Sequence, residues 1–94
     1  MEVIDEIASA LKMDRNVLAI ASVKAYLEKE LRSMQSEIIE IYAKHGVKSI
    51  HELDERLKRG SVREEDIIDD FQELDYLESR RDEILAAMKS LPQK

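Results

Sequence analysis

A run of carboxylates in the C-terminal half, EEDIIDDFQELD at 64–75, offers the richest chemistry in this sequence. Seven of its twelve residues are acidic. Such a run could bind a metal ion, form an acid/base pair, dock a basic partner or cover a solvated helix face. At about 100° per residue, Ile67, Phe71 and Leu74 fall together, which predicts a helix with one buried face. The acidic residues that fall opposite to them are Glu65, Asp66, Asp69, Asp70 and Glu73.

The spacing of these carboxylates favours solvation or docking over catalysis. A carboxylate-bridged metal site in a helical bundle would need a Glu-x-x-His pattern, which this sequence lacks. Acid/base catalysis needs carboxylates in different environments within a concave site, whereas these share one convex face. We predict no metal, cofactor or catalytic residue, and two interpretations of the acidic face stay open: a solvated face and a docking surface for a basic partner. The partner-binding candidates are Asp66, Asp69, Asp70 and Glu73.

One arginine and two histidines are the other candidates for chemistry. Arg81 lies among apolar residues of the same predicted helix, where a buried charge needs a partner. We expect its side chain either to snorkel to solvent or to form an intersubunit ion pair with an acid of helix two such as Glu30 or Glu37. The alternative is an anion-binding arginine in a small helical-bundle enzyme. His45 and His51 lie near predicted helix ends, and we expect structural roles for both, with His45 capping free carbonyls.

Composition indicates a single all-helical domain over residues 1–94. Gly is 2, Pro is 1 and 38% of residues are charged, which is typical of long helices with few breaks. The net charge is −6, and residues 48–94 carry thirteen acids against nine bases, which opposes nonspecific binding of nucleic acid. There is no cysteine and no apolar run long enough for a membrane span, so we expect a cytoplasmic protein.

Periodicity and capping signals divide the chain into four helices. The predicted bounds are Glu2 to Lys12, about Arg15 to Lys44, Ile50 to Arg59, and Val62 to about Ser90. Asp14 is a plausible N-cap for helix two. The third and fourth helices each begin with a capping box, at Ser49–Glu52 and at Ser61–Glu64.

Helix two carries a coiled-coil-like apolar seam that must be covered. A second apolar patch on its far side, at Leu18, Ala21 and Ala25, predicts that helix one packs there. We expect an all-α fold in which two long antiparallel helices are joined by a short helix, and in which a second copy completes a dimeric helical bundle. The seam consists of Ile20, Val23, Leu27, Leu31, Met34, Ile38 and Ile41.

Three segments resemble small archaeal antitoxin-like proteins of the VapB type, from toxin–antitoxin systems. These segments are LKMDRNVLAIASVKAYLEKEL, EIIEIYAKHGVKSIHELDERLKRG and DDFQELDYLESRRDEI. The resemblance implies a homodimeric antitoxin. Such an antitoxin inserts an acidic segment that also carries apolar side chains into the basic RNA-binding cleft of a PIN-type ribonuclease toxin.

One departure from DNA-binding antitoxins matters. Antitoxins that bind operators through a ribbon-helix-helix begin with a short strand, whereas the first helix here begins by Val3. We therefore expect little nucleic-acid binding by the isolated protein. The leading hypothesis is a non-enzymatic protein–protein interaction module that resembles an antitoxin. The alternative is a transcriptional regulator with an incomplete ribbon-helix-helix, and the third is a small helical-bundle enzyme that uses Arg81.

Overall fold

The described part of the chain forms four helices, in the order that the sequence predicts. The computed structural model describes residues 2–60 and 64–92, and no strand occurs within those two ranges. Observed boundaries differ from the predicted ones by at most one residue, and the predicted start of helix four at Val62 lies outside the described residues. The helices are α1 Val3–Leu11, α2 Arg15–Lys44, α3 Ile50–Lys58 and α4 Glu64–Lys89.

Local hydrogen bonds explain where α2 and α3 begin. The Asp14 carboxylate accepts from the backbone amides of Asn16 and Val17, as expected of an N-cap. The Ser49 hydroxyl accepts from the backbone amide of Glu52, whose carboxylate accepts from the amide of Lys48 rather than that of Ser49. The second predicted capping box, Ser61–Glu64, lies outside the described side chains.

The end of α2 depends on a glycine. Gly46 has a φ of 66°, in the left-handed region that costs other residues energy because of their Cβ atom. The amide of Gly46 donates to the Ala43 carbonyl and that of Val47 to the Tyr42 carbonyl, the pattern of a Schellman motif. Val47 is buried beyond it, so the turn directs the chain back toward the core.

The two long helices pack against each other in antiparallel orientation. Tyr42, in the last turn of α2, contacts Glu78 near the middle of α4, and His45, directly after α2, contacts Asp70 near the start of α4. The fully buried Leu53 of α3 lies in the same core cluster, so α3 closes this end of the hairpin. The buried members of the cluster are Met34, Ile38, Val47, Leu53, Ile67, Leu74, Leu77 and Ile84.

The predicted seam of α2 enters this core only from Leu27 onward. Met34 and Ile38 are buried, and Leu27 packs against the cluster. Ile20 is half-buried and Val23 is 48% exposed. The core part of the seam is therefore already covered by the chain's own α4, and the N-terminal part is not.

Helix α1 packs on α2, although only over the Leu18 end of the predicted patch. Ala8 is buried and Leu18 is half-buried, but Ala21 and Ala25 are exposed. That part of the prediction is wrong, because α1 covers only the beginning of α2. Arg15 holds α1 in place by ion pairs with Glu2 and Asp5. None of the described helices is long and apolar enough to cross a membrane.

Candidate functional site

The outward face of α4 presents acidic and apolar side chains side by side. Asp69, Gln72, Glu73 and Tyr76 are three or four residues apart, so they form one ridge on the helix surface. All four are exposed, and Tyr76 is 59% exposed. Ile68 lies four residues before Gln72 and is also exposed. We call these five residues the outer α4 face.

Within the described residues, no positively charged side chain pairs with the carboxylates of the outer α4 face. Within the described part of the chain, neither Asp69 nor Glu73 forms an ion pair. Both side chains therefore present their charge to solvent, where a basic partner could neutralise it. The side chain of Asp66, the fourth predicted partner-binding residue, lies outside the described part of the structure.

Asp70 does not belong to that face, which corrects the prediction from helical spacing. Its Oδ2 lies 2.7 Å from Nε2 of His45 and 2.9 Å from Nζ of Lys44. The side chains of His45 and Asp70 are only 9% and 18% exposed. The hydrogen bonds with His45 and then with Lys44 hold the pKa of the Asp70 carboxyl below its usual value. Asp70 therefore joins α4 to the end of α2.

Arg56 performs the capping role that was expected of His45. Its Nη1 and Nη2 donate to the backbone carbonyls of His45 and Gly46, at 3.0 and 3.2 Å. Those carbonyls lie at the end of α2, where no amide of the helix can reach them. Arg56 is eleven residues from His45 and on another helix, so local sequence rules offered no signal for this contact.

A second contact between the long helices joins a tyrosine and a glutamate. The Tyr42 hydroxyl donates to Oε2 of Glu78 at 2.8 Å. Burial, together with the Glu78 carboxylate, raises the pKa of Tyr42 to about 12. The nearby positive charge of Arg81 acts in the opposite direction on that pKa. Tyr42 thus supplies a helix-to-helix hydrogen bond as well as apolar packing.

Arg81 is not the buried charge that its apolar surroundings predict. Its side chain is 30% exposed and its guanidinium lies 3.2 Å from the carboxylate of the adjacent Asp82. Within the described chain it forms no ion pair with Glu30 or Glu37. A long arginine side chain can lie along an apolar surface while its head group stays in water, so the exposed partner Asp82 is sufficient.

The described residues do not assemble a metal site. Across residues 2–60 and 64–92, no group of three or more His, Asp or Glu side chains is placed to hold a metal ion. The one close histidine–carboxylate pair, His45 with Asp70, is occupied by the contact between the two long helices.

Comparison with known proteins gives a family and one relative. The model of the "Uncharacterized protein MJ0235 family" matches residues 1–94. The Uncharacterized protein MJ0235 of Methanocaldococcus jannaschii is 30% identical over 74 residues, which cover 79% of this chain and 90% of that protein. No solved structure matches the chain. The full-length match shows that the chain belongs to the MJ0235 family.

Proposed function

We propose that this protein is a non-enzymatic interaction module that acts as a homodimer and binds a basic protein through the outer α4 face. The observation that carries the proposal is the ridge itself. It combines two carboxylates, Asp69 and Glu73, that have no cation in the described chain with an exposed tyrosine, Tyr76. Carboxylates steer a basic partner to the surface, and an exposed aromatic ring supplies apolar contact once it has arrived.

The finer proposal is that the protein acts as an antitoxin-like neutraliser of a toxin such as a PIN-type ribonuclease. An RNA-binding cleft must be basic to hold phosphates, so an acidic helix face can compete for it. The resemblance in sequence to VapB-type antitoxins supports this partner, as does the acidity of residues 48–94.

The transcriptional-regulator alternative has weaker support. A ribbon-helix-helix reads DNA with a strand, and residues 2–60 and 64–92 contain none. The enzyme alternative depended on Arg81 as an anion-binding residue within the bundle. It has weaker support because Arg81 is partly exposed and pairs with Asp82. We therefore retain partner binding as the leading function.

The test compares partner binding by charge variants of two helix faces. A pull-down from the native host supplies the partner, and affinity is measured at low and high salt for Asp69→Asn/Glu73→Gln. The control is Glu37→Gln/Glu40→Gln, which removes the same charge from exposed positions of α2. We expect the α4 variant to bind about tenfold more weakly at low salt, with a smaller loss at high salt. The control should bind like the wild type.

A third variant separates charge from apolar contact. Tyr76→Ala leaves the charges in place, so it should weaken binding by a similar factor at both salt concentrations. Unchanged affinity for the α4 charge variant at both salts would contradict the proposal, and the carboxylates would then be an ordinary solvated helix face.

A further inference from the structure

The end of the molecule opposite α3 exposes large apolar residues on both α1 and α2. On α1, Val3, Ile7 and Leu11 are four residues apart, and Val3 and Leu11 are 73% and 59% exposed. On α2, Val17 and Val23 are 57% and 48% exposed. We call these five residues the N-terminal surface. Such exposure of large apolar residues in one region of a small protein marks an interaction site.

Val23 continues the core seam of α2 past the end of its contact with α4. Val23 lies four residues before Leu27, and Leu27 is the first seam residue that packs against the core cluster. At the other end of that cluster, Met88 is the last residue of α4 that packs against it. Residues 15–26, the twelve residues of α2 before Leu27, extend beyond the contact with α4. At about 1.5 Å per residue, this part of α2 is roughly 18 Å long.

The whole chain exposes more surface than a compact monomer of the same mass. The chain exposes 7102 Å², whereas a compact monomer of 10.9 kDa exposes about 5,600 Å². The excess of roughly 1,500 Å² exceeds the ~800 Å² that each partner contributes to a standard interface. A protein-sized partner can therefore be accommodated, and an elongated hairpin offers it the apolar end.

The distribution of charge favours a second copy of this chain as that partner. Residues 1–27 carry four acidic and three basic side chains, while residues 48–94 carry thirteen acidic and nine basic ones. Two copies with a net charge of −6 each repel least where their N-terminal ends meet. A nearly neutral surface also lacks the charge that would select a strongly basic or acidic protein.

We infer that the N-terminal surface is the homodimer interface, with the same five residues on both sides of a two-fold axis. This inference rests on the homodimer of the proposed function and adds its location. The seam from Leu27 to Ile41 cannot serve instead, because the chain's own α4 already covers it. Each copy would then cover the part of α2 that α4 leaves bare.

Sedimentation of the isolated protein tests this interface without the basic partner. The variants are Val23→Glu and Ile7→Glu, both at exposed positions that the single chain does not need for its core. The matched control is Ile39→Glu, an exposed isoleucine of α2 outside the N-terminal surface. We expect a wild-type dimer at tens of micromolar, an increase of at least about tenfold in the dissociation constant for both variants, and no change for the control.

Circular dichroism of each variant distinguishes loss of dimer from loss of fold, since helix content should be unchanged. A monomeric wild type, or a dimer that survives both Val23→Glu and Ile7→Glu, would overturn the inference. Weakening by Ile39→Glu alone would overturn it as well, by placing the interface on another face of α2. A monomeric wild type would also remove the homodimer from the proposed function, whereas a dimer that survives both substitutions would overturn only the location of its interface. Binding of the basic partner by the outer α4 face is measured separately and can fail while the dimer interface holds.

Discussion

At the scale of residues, neighbouring carboxylates of α4 have different roles. Asp69 is exposed and has no ion pair in the described chain, whereas Asp70 contacts His45 and Lys44. Successive helical residues are about 100° apart, which is enough to move a side chain from the outer face to the contact with α2. The charge of Asp70 therefore stabilises the hairpin, while that of Asp69 faces solvent.

This difference leads to a stability prediction for Asp70→Asn. The substitution leaves His45 and Lys44 without their anion, so we expect a loss of about 1–2 kcal/mol in the free energy of unfolding. Asp69→Asn is the control and should change it by less than about 0.5 kcal/mol. Urea unfolding followed by circular dichroism, at one protein concentration, measures both. Equal effects of the two substitutions would contradict the assigned roles.

The same variant has a predictable dependence on pH. Because the folded state lowers the pKa of Asp70, its contribution is complete above the ordinary carboxyl pKa and is lost as pH falls through the folded-state pKa. The difference in unfolding free energy between wild type and Asp70→Asn should therefore stay constant under mildly acidic conditions and shrink below about pH 4. A difference that persists undiminished in stronger acid would show that ionisation of Asp70 is not its source.

At the scale of helices, capping determines how much of α2 is available to the N-terminal surface. The Asp14 carboxylate accepts from two backbone amides of the first turn of α2, at 2.9 and 3.1 Å. The same turn carries Val17, one of the exposed apolar residues. Fraying of this turn would therefore cost both helix stability and the proposed dimer contact.

We predict that Asp14→Ala lowers the free energy of unfolding by about 1 kcal/mol, because both amides lose their acceptor. Asp14→Ser keeps an N-cap oxygen and should retain most of that free energy. Thermal unfolding of the two variants at equal concentration provides the comparison. If Asp14→Ser proved as unstable as Asp14→Ala, the N-cap would not be the source of the effect. The loss of a negative charge near the ion pairs between Arg15 and α1 would then be responsible.

At the scale of the whole molecule, the chain is a long, thin hairpin. It measures 60 × 22 × 18 Å, with a radius of gyration of 19.3 Å, against about 12 Å for a compact domain of this length. Two helices pack along most of this axis and bury few residues for each turn, so the core alone is narrow. Association through one end lengthens such a molecule, whereas association side by side thickens it.

Small-angle scattering of the dimer should therefore show a maximum dimension well above the 60 Å of one chain. This follows if the copies meet at the N-terminal surface, since their hairpins then extend away from each other. A four-helix bundle formed along the seam of α2 would instead keep a length near that of one chain. A dimer of unchanged length would contradict the end-to-end arrangement.

The sequence by itself determined the helices, because the signals that define them are local. Periodic apolar residues, the Asp14 and Ser49 caps and the glycine after α2 act within a few residues of chain, so the bounds of α2 could be read directly. Ile67 and Leu74 were likewise predicted as core and are buried. The exposure of Asp69 and Glu73 followed from the same helical period.

Only the tertiary structure decided which side chains pair across helices and where the core ends. The contacts of Asp70 with His45 and of Arg56 with the end of α2 depend on the register between helices, and register is a property of packing rather than of local spacing. Val23 and Leu27 both belong to the apolar seam of α2, yet only Leu27 packs against the core. Periodicity shows which face is apolar, whereas the position and extent of the opposing helix determine how much of that face is buried.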